Sequence, residues 1–357
     1  MILGWMYGIR KNFGSGYMNK GNNMEKVLVT GGSGFIALHC IAELLKDGYN
    51  VRTSVRSLDR KDEIKKAVSS LINNDQALEF CKLDLMDDNG WDEAVKGCDY
   101  VLHVASPVIE KNMNDEDSFI EPARQGLLRA LEPSIKYKIK RFIMTSSIAA
   151  ITQGHTDYEI NEKSWSIIQS DTLPYIKSKT FAEKAMWDHI ETLDKDKKIE
   201  VCTINPSFVF GPSLSNDMGA SNLLIRALII GKLPAVAKIQ FNVVNVVDVA
   251  KAHVLALKSE NAPGQRFIVS EKPLWLAEIG RILKDNGFKK APTRVVPNFL
   301  LGFLAFFLKD IALFKDRLGK SQITKADNAK KLLLWKPNFV EKAIIGTAKQ
   351  YRETRNF

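Results

Sequence analysis

Short, continuous apolar runs alternate along this chain with longer stretches in which apolar residues recur every three or four positions. Lys26 to Thr30 is a run of the first kind, the pattern of a strand buried on both faces of a parallel sheet. Behind it, Ile36, Leu38, Ile41, Leu44 and Leu45 lay an apolar face along a helix that Asp47 and Gly48 end. Further strands are predicted at Asn50 to Val55, Leu78 to Lys82, Tyr100 to Val104, Arg141 to Thr145 and Glu200 to Ile204, with helical patterns between most of them. This alternation predicts an α/β fold built on a doubly wound parallel sheet.

After Pro206 the pattern breaks into Gly, Pro and mixed apolar segments. The chain therefore divides into a nucleotide-binding domain over residues 24–205 and a smaller C-terminal substrate region over 206–357. Asn242 to Leu257 again reads as strand then helix, so 242–258 is expected to return to the first domain. Residues 1–23 are rich in Gly, Asn and Met, with their apolar segment ahead of their basic residues. That order is the reverse of a secretory signal and predicts a disordered extension. Phe299 to Leu308 is too short to span a bilayer and reads as a packed helix without stable membrane insertion.

Composition narrows the class. The chain has 357 residues, 45% of them hydrophobic, and a formal net charge of +10. Its lysines are scattered among 41 acidic residues without a block of like charge, which reads as solvated surface and not as a nucleic-acid interface. Cys40, Cys81, Cys98 and Cys202 lie far apart, with no C-x-x-C pair. They read as reduced thiols of a cytoplasmic protein, with no metal site.

Two constellations carry the chemistry. In Val27 to Ala37, VLVTGGSGFIA, a strand runs into a glycine-rich turn that opens a helix, the layout of a dinucleotide pyrophosphate site. Gly31 permits the tight turn, Gly34 the approach of the pyrophosphate, and Ala37 the packing of helix on sheet. An NAD-selecting site places a carboxylate after the second strand, about 20 residues beyond the glycines. Here that place holds Arg56, with Arg60 close behind. A guanidinium there forks onto a 2'-phosphate, so NADP(H) is the expected cofactor. The second constellation is Tyr175 and Lys179 at Y-x-x-x-K spacing, one helical turn apart, with Ser147 at the end of the strand RFIMTSS. A phenol exchanges protons near neutrality when a cation stabilises its phenolate, and a hydroxyl at the carboxyl edge of the sheet holds a substrate oxygen.

From Met24 to about Tyr351 the chain resembles the extended short-chain dehydrogenase/reductases. Within them it is similar to the dihydroflavonol 4-reductase-like aldehyde and ketone reductases of the methylglyoxal reductase type. The motifs are TGGSGFIA (Thr30 to Ala37), VRS (Val55 to Ser57), LDL (Leu83 to Leu85), HVASP (His103 to Pro107), TSS (Thr145 to Ser147), YIKSK (Tyr175 to Lys179), NPSFVFGP (Asn205 to Pro212) and VVDVAKAH (Val246 to His253). The resemblance implies a Rossmann-like fold and a catalytic triad of Ser147, Tyr175 and Lys179. It places Phe35 and Ile36 beside the pyrophosphate, Asp84 and Leu85 at the adenine, and Ala105 and Ser106 along the cofactor. Pro206 to Val209 would border the nicotinamide, and Ser221 is a candidate phosphate contact. By the same analogy Val108, Ile148, Thr152 and Phe208 would line the substrate pocket. Thr152 stands where flavonoid reductases tend to carry Asn, which weakens a flavonoid reading, and Val247 replaces an arginine common in its segment. The expected activity is reduction of a small-molecule aldehyde or ketone by NADPH, in a monomer or a homodimer. A sugar-nucleotide epimerase or dehydratase and a non-catalytic NADP-binding regulator are the alternatives.

Overall fold

The computed structural model describes residues 24–72, 77–107, 117–155, 159–297 and 317–354. The extension 1–23, Phe299 to Leu308 and Val108, each the subject of an expectation above, lie outside these residues.

The first half alternates strand and helix: β1 (Lys26–Val29), α1 (Phe35–Lys46), β2 (Asn50–Val55), α2 (Lys61–Ser69), β3 (Leu78–Lys82), α3 (Trp91–Val95), β4 (Tyr100–His103), α4 (Asp117–Lys136) and β5 (Arg141–Thr145). Then come α5 (Ala149–Thr152), β6 (Glu159–Ile160), α6 (Pro174–Thr192), β7 (Glu200–Pro206), β8 (Phe208–Phe210), α7 (Asn222–Ile229), β9 (Gln240–Asn245) and α8 (Val246–Lys258). The chain continues through β10 (Arg266–Val269), β11 (Lys272–Trp275), α9 (Leu276–Asp285), β12 (Ile323–Thr324), α10 (Asp327–Leu332) and α11 (Val340–Glu353).

Seven strands form one parallel sheet in the order β10-β7-β5-β4-β1-β2-β3. Its central strands β1, β4 and β5 are buried on both faces because both faces are covered. In β1, Val27 and Val29 enter the core shared with α1 and α8, while Leu28 enters the core shared with α4 and α6. Helix α1 is itself enclosed, burying Ala37, Cys40 and Ala42 besides Leu38, Ile41 and Leu44, since α8 packs against it on the same face of the sheet. The apolar face read from the sequence is thus only part of what it buries.

Segment 242–258 divides differently from the expectation. Its helix α8 lies on α1, but its strand β9 pairs with β8 and β11 in a separate three-stranded sheet. The strand that rejoins the large sheet is β10, beside β7. Phe210, Ile225, Phe241, Ile279, Ile344 and Tyr351 form a second core under this C-terminal region. At the Val247 departure, Asp248 takes the Asn338 backbone N–H at 2.6 Å, and Asn245 caps α8 through the Val247 N–H at 3.0 Å.

The far end of α8 is closed by a side chain of the sheet. Arg141, at the start of β5 and buried, donates from one guanidinium nitrogen to the carbonyls of Ala256, Leu257 and Ser259 at 2.5, 3.0 and 2.8 Å. Its other nitrogens bond Glu200 at 2.8 and 2.6 Å. Arg141→Ala orphans these carbonyls and should lower the free energy of unfolding by about 3 kcal/mol in urea titrations. Glu200 is half exposed, so Glu200→Ala should cost less than about 1 kcal/mol. Equal losses would show that the ion pair, and not the helix capping, carries the contribution.

Candidate active site

The turn after β1 is pressed against its neighbouring strands. Gly31 takes φ +70°, where a Cβ would lie 3.0 Å from Ala105; a Cβ on Gly32 would lie 1.9 Å from the Thr53 hydroxyl. Ser54, in β2, accepts the Gly31 N–H on its hydroxyl at 3.0 Å and the Gly32 N–H on its carbonyl at 2.8 Å. On the other side the Thr30 hydroxyl accepts the Ala105 N–H at 3.0 Å and bonds His103 Nδ1 at 3.2 Å. Helix α1 then begins at Gly34, which has no side chain to cap it, so its first turn and positive dipole end suit an anion.

A cleft of about 790 Å³ runs along the carboxyl ends of the parallel strands. Gly31, Gly34, Phe35, Ile36, Arg56, Arg60, Asp84, Leu85, Ala105, Ser106, Pro206, Val209 and Ser221 all line it, as do Ser147, Tyr175 and Lys179. The residues fit a dinucleotide. The glycine cradle is one that a Cβ would fill, and Ser207, buried on the cleft wall, has a hydroxyl without a partner among the described residues. Ser207 lies inside a segment expected to border the nicotinamide, but its hydroxyl could not be singled out from sequence.

The two arginines differ. Arg60 forks onto Glu63, with both nitrogen–oxygen distances 2.9 Å, so its guanidinium is already engaged. Arg56 is exposed at the rim and pairs with no carboxylate among the described residues.

Asp217 was not among the expected site residues. Its carboxylate accepts the Phe35 N–H at 3.3 Å and the Gly219 N–H at 3.0 Å, which places a negative charge on the helix end where a pyrophosphate would sit. Its loop is also tied down by the Ser215 hydroxyl on the Ser33 carbonyl at 3.4 Å. No local pattern signals a partner 182 residues away.

Opposite the glycine turn, α6 starts with Pro174 in its first turn and carries Tyr175 and Lys179. Tyr175 is 40% exposed because its ring borders the open cleft. Burial of its hydroxyl raises the phenol above its ordinary pKa, and a hydrogen bond with the Ser147 hydroxyl opposes that rise. Lys179 is buried, and desolvation depresses its amine to about 8, partly offset by the charge of Glu183. His103 stays neutral, its pKa pushed down to about 3 by burial and then by the Lys179 charge.

Ile148, Thr152 and Phe208 do not line the cleft among the described residues. Ile148 is buried in the main core, and the Thr152 hydroxyl donates to the Ile148 carbonyl at 3.3 Å, a bond within its own helical turn. Phe208 packs on Phe241 with ring centroids 4.2 Å apart.

The 3-beta hydroxysteroid dehydrogenase/isomerase family matches residues 28–279. The chain belongs to this family. It is an oxidoreductase of the extended short-chain dehydrogenase/reductase type. It is 34% identical to a cinnamoyl-CoA reductase of Medicago truncatula over 279 residues, 75% of this chain and 82% of that protein. To an anthocyanidin reductase of Vitis vinifera it is 32% identical, again over 75% and 82%. Its fold is similar to that of the yeast methylglyoxal/isovaleraldehyde reductase Gre2 complexed with NADPH. The TM-score is 0.77 at 26% identity, covering 93% of this chain and 99% of that one.

Asp217 and a pyrophosphate compete for one helix end. Asp217→Asn keeps an acceptor oxygen while removing the charge, and should tighten dinucleotide binding by roughly two- to tenfold, the size of a charge effect at a helix terminus. Fluorescence titration with NADPH checks this; weaker binding would show that the carboxylate helps to build the site.

Proposed function

We propose that the protein is an NADPH-dependent carbonyl reductase, converting an aldehyde or ketone to the alcohol with Tyr175 as proton donor. The observation that carries this reading is that Ser147, Tyr175 and Lys179 come together on the wall of the cleft that the glycine turn also borders. A bound NADPH supplies the hydride. Ser147 holds the carbonyl oxygen, and the raised pKa of Tyr175 keeps a proton on the phenol for delivery to the developing alkoxide. Lys179 places a positive charge one turn along the helix from the phenolate that results. Arg56, at the rim and without a carboxylate partner among the described residues, is the group for a 2'-phosphate.

The cleft residues contributed by β4, β5, β7 and the segments just after them run Val104 to Pro107, Thr145 to Ser147, Pro206, Ser207 and Val209. None is acidic or an arginine, which supports a neutral substrate with an apolar substituent over a charged sugar nucleotide. Steady-state oxidation of NADPH with a panel of aldehydes, ketones, diketones and flavonoids tests the reading. Stoichiometric consumption of NADPH supports it. Recycling of a tightly held cofactor would favour an epimerase, and NADPH binding without turnover a regulator.

Tyr175→Phe should lower kcat by about 10²- to 10⁴-fold while the Kd for NADPH changes little. A variant keeping more than about a tenth of the activity would mean that another group gives the proton. Arg56→Ala should raise KM for NADPH by roughly 10- to 150-fold, the equivalent of charge-assisted hydrogen bonds to the phosphate, and leave NADH kinetics nearly unchanged. Equal losses with both cofactors would remove Arg56 from that role.

A further inference from the structure

Four residues beyond Lys179, on the same helix face, lies a carboxylate that the reaction above does not use. Glu183 is fully buried. One oxygen accepts from Arg266 Nε at 2.6 Å, and the other from the Asn205 side-chain amide at 2.7 Å and the Ser146 hydroxyl. Asn205 also donates to the Ser147 carbonyl at 3.3 Å. Arg266 is held in turn by the carbonyls of Glu162 and Ser164 at 2.9 and 2.5 Å, with its guanidinium 3.8 Å from the Trp165 ring centroid. The ion pair thus joins α6, the ends of β5 and β7, β10 and the 162–165 loop behind the catalytic wall.

A buried ion pair is a weak source of net stability, because desolvation offsets most of the attraction. Its placement accounts for it better. We propose that Glu183, clamped by Arg266, is a positioning residue that keeps Lys179 cationic and fixes the strand end bearing Ser147. The proposal rests on the reductase reading for its functional meaning. Lys179 has little other support for its charge. The titratable groups facing it are His103 from β4, which is neutral, and Tyr175 and Glu183 from its own helix, with Arg266 of β10 behind Glu183. Of these, Glu183 is the charge that opposes the desolvation of Lys179.

The two members of the pair can be separated by sign. Glu183→Gln removes the charge that holds the proton on Lys179, so the amine should lose it at a pH lower by roughly one unit. Arg266→Gln removes the positive charge behind Glu183 but keeps the carboxylate, so while the Asn205 and Ser146 hydrogen bonds hold Glu183 ionised the midpoint should move to higher pH. A purely architectural pair would weaken folding in both variants without moving the midpoints in opposite directions. The double variant Glu183→Gln/Arg266→Gln buries no uncompensated charge, so it folds where a single variant does not, and its midpoint should also fall.

The midpoint is read without cofactor, as the pH dependence of Lys179 acylation by an amine-specific reagent with peptide mass mapping. It is read again as the alkaline limb of kcat/KM for NADPH-dependent reduction. Opposite shifts in the single variants or, where a single variant does not fold, a fall in the double variant support the proposal. Unmoved midpoints or shifts of one sign in both single variants overturn it. Failure of the reductase reading shows separately, as absence of NADPH oxidation by the wild type while the acylation profiles stay measurable.

Discussion

The cleft depends on one feature of the sheet, the place where its strand order turns back. Strand β1 has β2 on one side and β4 on the other, so the helices that follow β1 and β4 leave toward opposite faces. Their core residues show it: Leu38 and Ile41 of α1 pack with Val27 and Val29, whereas Leu127 and Leu131 of α4 pack with Leu28. Two chains diverging from adjacent strand ends open a crevice that no side chain has to be removed to create. The glycine turn, Ala105, Ser147 and the first turns of α6 are simply what borders it.

Two arginines tie the later part of the chain to that sheet. Arg141 reaches from β5 to the carbonyls at the end of α8, and Arg266 reaches from β10 to α6. Each guanidinium meets several acceptors in directions that a lysine could not serve at once. The later segments that pack on the large sheet, α8 and β10, are therefore joined to it by directed polar contacts as well as by apolar packing.

How much of this was legible in sequence follows from the range of the forces involved. Buried parallel strands announce themselves as local apolar runs, and β2, β3 and β5 were placed at their observed bounds. Catalytic and nucleotide residues sit at strand ends in short motifs, so Ser147, Tyr175 and Lys179 could be named and do share a cleft. Strand β10 is four residues long, too short for an apolar run to stand out among the segments after Pro206. The substrate assignments have no such local signal. Ile148 and Phe208 are apolar residues next to catalytic motifs, and nothing in a local pattern says whether such a side chain turns toward the cleft or toward Phe241 and the core. Glu183 reads as an ordinary polar position of a helix, and only its burial against Arg266 gives it meaning.

The carboxylate of Asp217 on the first turn of α1 bears on how the cleft treats its surroundings. A helix terminus of this kind attracts any small anion, and chloride, sulfate and inorganic phosphate outnumber a dinucleotide in most solutions. Because Asp217 belongs to the same chain, it acts at an effective concentration that a freely diffusing ion reaches only at very high levels. A ligand with a single anionic group therefore gains little by displacing it, whereas one that also engages distant parts of the cleft gains from every other contact it makes. The internal acid thus acts as a filter for molecular length, making the site selective for long, multiply anchored anions before any side chain has recognised a base or a ribose.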